Sequence, residues 1–379
     1  MTTLAARQLI TAHGVMDYPV LTLEGGRILA VSSRDAAEVN DITHHFPEAT
    51  LTAGLLDIHV HGAANHDVME GTPAAIHTVA AYLASRGTTE FLATTVTAAI
   101  DPTLRALGGI ADAIESTPEP DAAQPVGIHL EGPFVSHVKR GVHPTEFIVP
   151  PTVELFDRFW QASRGHIRLM TIAPELPNAI EVIRHAVNLG VRVSLGHSNA
   201  TLAEATPALA AGATSATHIY NAMRALDHRE PGILGMVLDS DQLYAELICD
   251  GIHVAPELVR LWLHAKGPNR AILVTDGMAA MGMPDGTYML GSFEVTVENG
   301  RCLSHGHLAG SVLTLDKAIA NFQQMTHSSL ATAVRLATAN PAAMLGLDEA
   351  LQPGAPANFN VYAGNKLQKT ILRGRLLAH

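Results

Sequence analysis

Short apolar runs alternate with longer Ala- and Leu-rich stretches over most of the chain, from about residue 53 onward. Helical stretches lie between most of the runs, for example at residues 73–85, 177–189, 202–211 and 256–265. Eight strands interleaved with helices predict an α/β fold, a (β/α)8 barrel of the TIM type, with its active site at the carboxyl ends of the strands. The eight runs with the character of buried strands are one ending at residue 61 and residues 87–97, 126–130, 167–172, 191–195, 214–217, 243–248 and 271–275.

The first 53 residues or so have a different pattern, in which short apolar runs alternate with turn signals. The sequence Glu24-Gly25-Gly26 is one such signal, because glycine readily adopts the backbone conformations of tight turns. This segment therefore predicts a few β-strands outside the barrel.

The composition is that of an ordered globular protein. Of the 379 residues, 47% are hydrophobic and only 16% are charged, which argues against disorder. The length suits one large barrel with a small accessory domain. The only two cysteines are Cys249 and Cys302, which excludes a disulfide framework and a cysteine-rich metal site. We expect both thiols to be buried or inert, so histidines and carboxylates would have to hold any metal.

The net charge narrows the range of partners. A formal charge of −12 disfavours nucleic acid and anionic membranes, since both require a broad basic surface. An anionic small molecule would need a local basic pocket. The first residues do not resemble a secretion signal, and no uncharged apolar run is long enough to span a membrane. We therefore expect a cytoplasmic protein.

Two histidines lie at the end of the first barrel run, in the sequence Asp57-Ile58-His59-Val60-His61-Gly62. Side chains on a strand alternate between its two faces, so His59 and His61 should project in the same direction. Neutral imidazole is the commonest protein ligand of divalent metals such as zinc and iron. An isolated pair of this kind is more often two partly exposed histidines near a turn, so the metal-binding interpretation depends on other residues.

Further polar residues follow other predicted strands. Each is the first polar group after an apolar run, and they are Glu131, His197, His218 and Asp276. Taken singly, Asp276 could cap a turn and His197 could begin a helix. A barrel brings the ends of its strands together in one mouth, so the whole set predicts one active site.

Seven segments in order along the chain strengthen this prediction: residues 129–134 (HLEGPF), 196–198 (GHS), 217–223 (THIYNAM), 229–232 (REPG), 274–277 (VTDG), 308–311 (LAGS) and 340–342 (NPA). They resemble those of the N-acetylglucosamine-6-phosphate deacetylases, within the amidohydrolase superfamily, and the resemblance covers nearly the whole chain. In that family the two chain ends join in a small β-sandwich. The resemblance thus implies a β-sandwich of residues 1–53 and 352–379 beside a catalytic barrel of residues 54–351.

The resemblance also implies a metal centre. Glu131, His197 and His218 would hold one divalent ion. Some bacterial relatives carry Gln and Asn in place of His59 and His61 and use one ion, whereas both histidines here allow a second ion, with Glu131 as the bridge. We expect one or two ions per subunit, Zn²⁺ or Fe²⁺. Residues 168–172 contain no lysine, which disfavours the dihydroorotase and urease types with a carboxylated lysine on strand four.

The activity implied is metal-dependent hydrolysis of the N-acetyl group of N-acetyl-D-glucosamine 6-phosphate to glucosamine 6-phosphate and acetate, in amino-sugar catabolism and cell-wall recycling. A metal lowers the pKa of water and polarises the amide carbonyl, while a carboxylate transfers the proton to the leaving amine. Asp276 would be this carboxylate, and His143 would help to polarise the carbonyl.

Substrate binding is likewise implied by the resemblance. Arg229 and His253 match residues that contact the phosphate in the family, near the interface of a homodimer. Arginine suits this role because its guanidinium can bind two phosphate oxygens at once. An ion pair of Arg229 with Asp227 or Glu230 is the structural alternative. The remaining substrate-binding residues would be Val142, His143, Asn221, Ala222, Asp250, Leu308, Ala309 and Gly310.

Two other functions are compatible with parts of this sequence. A deacetylase of another N-acyl amino sugar phosphate, such as N-acetylgalactosamine 6-phosphate, would share all the metal-binding residues. A non-catalytic barrel acting as a binding module is the third possibility, but it would have no need of Glu131, His197, His218 and Asp276 at one mouth.

Overall fold

A computed structural model of the protein describes residues 1–33, 42–348 and 350–377. The helices are α1 (Pro73–Ser85), α2 (Ile100–Glu115), α3 (Val153–Ala162), α4 (Ala179–Asn188), α5 (Leu202–Ala210), α6 (Gly232–Asp239), α7 (Pro256–Arg270), α8 (Leu315–Thr326), α9 (Leu330–Arg335) and α10 (Ala339–Leu345). Short 3-10 turns lie at Val68–Glu70 and Thr145–Phe147. Among the described residues, no helix has the length and apolar character needed to cross a membrane.

The strands, in chain order, are β1 (Thr2–Thr11), β2 (Gly14–Asp17), β3 (Pro19–Glu24), β4 (Arg27–Ser33), β5 (His44–Ala53), β6 (Leu55–Val60), β7 (Gly62–Ala63), β8 (His66–Asp67), β9 (Thr88–Thr95), β10 (Gln124–Glu131), β11 (Ile167–Ile172), β12 (Arg192–Leu195), β13 (Ser215–Ala216), β14 (Tyr244–Ile248), β15 (Ala271–Val274), β16 (Gly286–Leu290), β17 (Phe293–Glu298), β18 (Arg301–Ser304), β19 (His307–Leu308), β20 (Phe359–Ala363), β21 (Lys366–Leu372) and β22 (Arg375–Leu376). Each of the eight predicted barrel runs overlaps one of them.

The barrel consists of eight parallel strands in the order β6, β9, β10, β11, β12, β13, β14 and β15. It closes where the last strand meets the first: the Asp276 N–H donates to the His59 carbonyl at 2.9 Å, and the His61 N–H donates to the Gly277 carbonyl at 2.7 Å. All six residues of β6 are buried. Helices cover the outside of such a sheet while side chains fill its inside, which explains the continuous apolar runs in the sequence. The predicted barrel is confirmed.

Both ends of the chain contribute to a second sheet, as expected. It contains β1 to β5 and β20 to β22; β1 pairs with β5 in parallel, and β5 pairs with β20 antiparallel. A separate apolar core, which includes Leu4, Leu21, Phe359 and Ile371, stabilises it. The exact domain boundaries stay a prediction, and residues 34–41, 349, 378 and 379 of the assigned domains lie outside the described residues.

A third sheet was not predicted. The strands β16 to β19 form an antiparallel sheet directly after the last barrel strand, with a core that includes Val295, Val297 and Cys302. Its turn at Asn299-Gly300, with φ angles of 52° and 77°, is a common hairpin signal that the sequence already contained. The sheet matters for the site because it ends at Leu308, beside the mouth of the barrel.

Both thiols are buried, as expected. Burial raises the pKa of Cys249 and of Cys302 to about 12. Both side chains are therefore neutral and unreactive near neutral pH.

Candidate metal centre

Four histidine nitrogens surround the carboxylate of Glu131 at the carboxyl ends of the barrel strands. Its Oε1 atom lies 3.2 Å from His218 Nε2, 3.3 Å from His197 Nε2 and 3.4 Å from His59 Nε2. Its Oε2 atom lies 3.3 Å from His61 Nε2. All five side chains are at most 7% exposed. The structure thus brings together the five residues predicted as metal ligands.

Asp276 lies at the edge of this cluster. Its Oδ1 atom is 3.2 Å from His61 Nε2 and 3.4 Å from His59 Nε2, so both histidines project in the same direction, as predicted. Three overlapping groups have ligand atoms within 4.8 Å of one another: His59, His61 and Asp276; His59, Glu131 and His218; and Glu131, His143 and His197. These groups provide adjacent places for a divalent ion, with Glu131 shared between two of them.

Backbone carbonyls orient two of the histidine rings. His61 Nδ1 lies 2.9 Å from the Thr94 carbonyl oxygen, and His197 Nδ1 lies 3.1 Å from the Lys139 carbonyl oxygen. A carbonyl only accepts hydrogen bonds, so in the neutral rings the proton is on Nδ1. The Nε2 lone pair of each ring is then free to face the cluster, which is the arrangement of histidine ligands in metal proteins.

The donor set fits a divalent cation. His197 Nε2 and His218 Nε2 are only 3.1 Å apart, and two lone pairs at that distance repel unless a proton or a cation lies between them. His59 Nε2 and His218 Nδ1 are buried and have no hydrogen-bond partner among the described residues. Imidazole nitrogens combined with carboxylate oxygens suit zinc and iron.

The electrostatics of the cluster favour positive charge. Burial lowers the pKa of His61, but hydrogen bonds to Asp276 and Glu131 outweigh this effect and raise the pKa to about 9. Burial also lowers the pKa of His59, but the negative charges of Glu131 and Asp276 outweigh this effect and raise the pKa well above its usual value. Burial raises the pKa of Glu131, but His59, His197 and His218 bring it well below its usual range. A divalent ion would therefore replace protons on these rings.

The backbone is strained at three of these strand ends. His197, His218 and Asp276 have φ angles of 46°, 28° and 50°, in the left-handed region that residues other than glycine rarely adopt. Such outliers concentrate at functional sites, where the surrounding structure holds them in place. The strain thus supports a functional interpretation of this mouth.

His143 lies beside the cluster, where its Nε2 atom is 3.8 Å from Glu131 Oε2. Its Nδ1 atom is 2.6 Å from Thr97 Oγ1, and its ring packs against that of His197 at a centroid distance of 4.4 Å. Burial, followed by the nearby His197, lowers the pKa of His143 to about 3. The ring is therefore neutral near neutral pH.

A cavity of about 530 Å³ opens onto the cluster. Five of the predicted substrate-binding residues besides His143 line it: Val142, Asn221, Ala222, Leu308 and Gly310. Ala309 is buried between the last two. The cavity also contains four basic residues that sequence analysis did not single out: His137, Lys139, Arg140 and His307. An acidic protein thus presents a local basic pocket at its barrel mouth.

A larger cavity of about 690 Å³ lies at the opposite end of the barrel, against the terminal sheet. None of the three metal-ligand groups found among the described residues lines it. The smaller cavity is therefore the candidate active site.

Besides the buried Ala309, three predicted substrate-binding residues do not line the active-site cavity of this chain: Arg229, Asp250 and His253. Arg229 is exposed on the loop before α6, and His253 Nδ1 pairs with Asp250 Oδ2 at 2.6 Å. The Arg229 backbone N–H donates to Asp227 Oδ1 at 2.8 Å, and among the described residues the Arg229 side chain forms no ion pair with Asp227 or Glu230. The role of these residues at a subunit interface stays a prediction.

Sequence analysis missed several polar residues inside the barrel. Glu246 Oε2 lies 3.3 Å from His59 Nδ1, and His129 Nε2 lies 2.8 Å from Thr171 Oγ1 with its ring against His59. Asp57 accepts hydrogen bonds from Thr275 Oγ1, at 2.6 Å, and from the His59 N–H. A charged residue or histidine in the middle of an apolar strand was the available signal in each case.

The model of the amidohydrolase family matches residues 50–377. The chain belongs to this family. A relative from Lysinibacillus sphaericus, an N-acetylglucosamine-6-phosphate deacetylase, is 41% identical over 299 residues, which cover 78% of this chain and 76% of the relative. The N-acetylgalactosamine-6-phosphate deacetylase of Escherichia coli O157:H7 is 36% identical over 378 residues, 98% of each chain.

A solved structure supports the same relationship. It is a mutant of the N-acetyl-D-glucosamine-6-phosphate deacetylase from Mycobacterium smegmatis in complex with N-acetyl-D-glucosamine-6-phosphate. The two structures superpose with a TM-score of 0.94 and share 31% sequence identity. The match covers 100% of this chain and 99% of the Mycobacterium smegmatis chain. The resemblance inferred from the sequence segments, and the fold class that it implied, are confirmed.

Proposed function

We propose that the protein hydrolyses the N-acetyl group of N-acetyl-D-glucosamine 6-phosphate to glucosamine 6-phosphate and acetate, as part of amino-sugar catabolism and cell-wall recycling in the cytoplasm. The observation that carries this proposal is the cluster around Glu131, with Asp276 at its edge, at the mouth of an amidohydrolase barrel. Deacetylases of this name are among the relatives.

Glu131, His197 and His218 would hold one divalent ion, and His59 and His61 would hold a second, with Glu131 between them. Zn²⁺ and Fe²⁺ fit this mixture of nitrogen and oxygen donors. A divalent ion supplies a Lewis acid that acidifies water and polarises an amide carbonyl.

Asp276 is suited to transfer the proton. Burial raises the pKa of this carboxyl, but the charges and hydrogen bonds of His59 and His61 bring it well below its usual range, so the group is ionised and begins as a base. It takes a proton from the attacking water and gives that proton to the amine nitrogen as the carbon–nitrogen bond breaks. The oxygen of the water remains in the acetate.

His143 is suited to bind the carbonyl oxygen of the acetyl group. The Thr97 hydroxyl can donate to His143 Nδ1 at 2.6 Å, which places the ring proton on Nε2. Since the ring lines the cavity and is neutral, this N–H can donate a hydrogen bond to a carbonyl oxygen as negative charge develops there.

The sugar would lie in the basic cavity, against Val142, Asn221, Ala222, Leu308, Ala309 and Gly310. Its phosphate would extend toward the subunit interface of a homodimer, where Arg229 and His253 would bind it and Asp250 would hold the His253 ring. Arg229 is exposed, and its side chain forms no ion pair with its described acidic neighbours, which suits a guanidinium that binds an anion.

We expect Arg229→Ala to raise the KM for N-acetylglucosamine 6-phosphate by about 10- to 100-fold, because a hydrogen bond to a charged group contributes about 1.5–3 kcal/mol. The KM for unphosphorylated N-acetylglucosamine should change little. Steady-state kinetics with both sugars measures the difference. Arg224→Ala, which removes a nearby guanidinium bonded to the Asn199 carbonyl, serves as the control. Equal effects of Arg229→Ala on the two sugars would exclude a role in phosphate recognition.

The direct test is acetate release from N-acetylglucosamine 6-phosphate by the purified protein, before and after chelation, with metal content measured by mass spectrometry. Activity that is lost on chelation and restored by one kind of ion would support the proposal. The galactosamine epimer at equal enzyme concentration separates the two phosphosugar deacetylases. A fully metal-loaded protein without activity on either epimer would refute the proposal and revive the binding-module alternative.

A further inference from the structure

Glu246 is a buried carboxylate inside the barrel that the proposed mechanism does not use. It lies on β14 and is fully buried. Its Oε2 atom is 3.3 Å from His59 Nδ1 and 3.4 Å from the His218 backbone nitrogen, while Oε1 has no hydrogen-bond partner among the described residues. Burying a carboxylate costs free energy unless the group is paired, so we expect Glu246 to have a specific function at this position.

His59 is the ring on which this carboxylate acts. His59 belongs to two of the three metal-ligand groups, and its other nitrogen, Nε2, lies 3.4 Å from both Glu131 Oε1 and Asp276 Oδ1. A carboxylate only accepts hydrogen bonds, so Glu246 keeps a proton on Nδ1. In the neutral ring, Nε2 then presents its lone pair to the cluster.

Glu246 differs from the partners of the other oriented rings. Backbone carbonyls orient His61 and His197, and a carbonyl is present whatever the side chain. Within the described parts of the chain, His59 is the one proposed histidine ligand whose Nδ1 faces a carboxylate. A negative charge at this place also makes the imidazole a stronger ligand, as in other carboxylate–histidine–metal arrangements.

We propose that Glu246 is a positioning residue for the metal centre: it holds His59 with Nε2 toward the cluster and thereby strengthens binding of the divalent ion that His59 contacts. This inference rests on the proposed function in assuming that His59 is a metal ligand. Glu246 does not line the active-site cavity, so it acts through His59 and does not touch the substrate.

The test compares metal binding by the unmodified protein with that by Glu246→Gln and Glu246→Ala. Glutamine keeps the size of the side chain and can still accept a hydrogen bond, but it removes the negative charge. Alanine removes the negative charge and the hydrogen-bond acceptor. Glu90→Gln is the matched control, because Glu90 is a partly buried carboxylate on β9 that lines the cavity at the opposite end of the barrel. Circular dichroism and thermal unfolding show whether each variant is folded.

Competition with a chromogenic chelator, with Zn²⁺ as the probe, gives the affinity and the number of ions without any substrate. We expect Glu246→Gln to lower the affinity for one ion by about 10- to 100-fold, the usual effect of losing the hydrogen-bond partner of a metal ligand. Glu246→Ala should lower this affinity further. Glu90→Gln should bind as the unmodified protein does.

Two results would overturn the proposal. One is unchanged affinity and stoichiometry in the folded Glu246→Gln variant, and the other is an equal loss in Glu90→Gln, which would indicate a general effect of removing a barrel carboxylate. Because these measurements contain no sugar, they are independent of the reaction. Weakened metal binding in a protein that deacetylates neither epimer would uphold the role of Glu246 and refute the proposed function.

Discussion

Replacement of Asp276 by asparagine is expected to slow acetate release from N-acetylglucosamine 6-phosphate by about 10²- to 10⁴-fold, the range that general acid–base catalysis contributes. The amide has the size of the carboxylate and can still contact His61, whose Nε2 atom lies 3.2 Å from Asp276 Oδ1. It cannot take a proton from water. The effect should therefore appear in kcat, with the divalent metal still bound.

The measurement combines steady-state kinetics with metal analysis of the same samples. Asp285→Asn is a suitable control, since Asp285 is exposed and its carboxylate accepts a hydrogen bond from the Asn299 N–H in the neighbouring antiparallel sheet. That variant should have the unmodified rate. A near-normal rate for a metal-loaded Asp276→Asn protein would exclude Asp276 as the group that transfers the proton.

Replacement of Glu131 by glutamine is expected to remove both the metal and the activity. The carboxylate lies within 3.4 Å of four imidazole nitrogens and would be shared by both ions. An amide is a weak ligand, and its NH₂ group would point at nitrogens that should face a cation. Metal affinity should fall by more than about 100-fold, which exceeds the effect of losing a residue that only hydrogen-bonds to a metal ligand. Turnover should fall to the uncatalysed level.

Metal content after dialysis against a weak chelator measures this loss, and the Glu90→Gln variant again controls for removal of a barrel carboxylate. Addition of excess Zn²⁺ or Fe²⁺ should not restore the rate. Full metal content in Glu131→Gln would place the ion elsewhere and would contradict the ligand set.

Much of the barrel was readable from local sequence. Each strand of a parallel sheet is buried on both faces, so it appears as a continuous apolar run, and the eight runs stood out for that reason. The period of two along a strand placed His59 and His61 on the same side. Because enzymes with a TIM barrel have their active sites at the carboxyl ends of the strands, Glu131, His197, His218 and Asp276 could be assigned to one mouth from the sequence.

The contacts between polar side chains inside the barrel could not be predicted from local sequence. Glu246 lies in a strand that is otherwise apolar, and no local pattern indicates that its carboxylate contacts a histidine 187 residues earlier in the chain. The same holds for the Lys139 carbonyl that orients His197, 58 residues away. Such pairs depend on which strands are neighbours and on the register between them, which are properties of the closed barrel.

The shape of the candidate active-site cavity was also decided by tertiary structure. The unpredicted sheet of β16 to β19 brings Leu308 to the mouth, whereas Arg229 stays outside the cavity of its own chain. Sequence by itself determined which side chains could carry the chemistry, because residue type and strand period are local. Only the folded chain decided which of them meet, because a contact between distant segments depends on how the whole barrel closes.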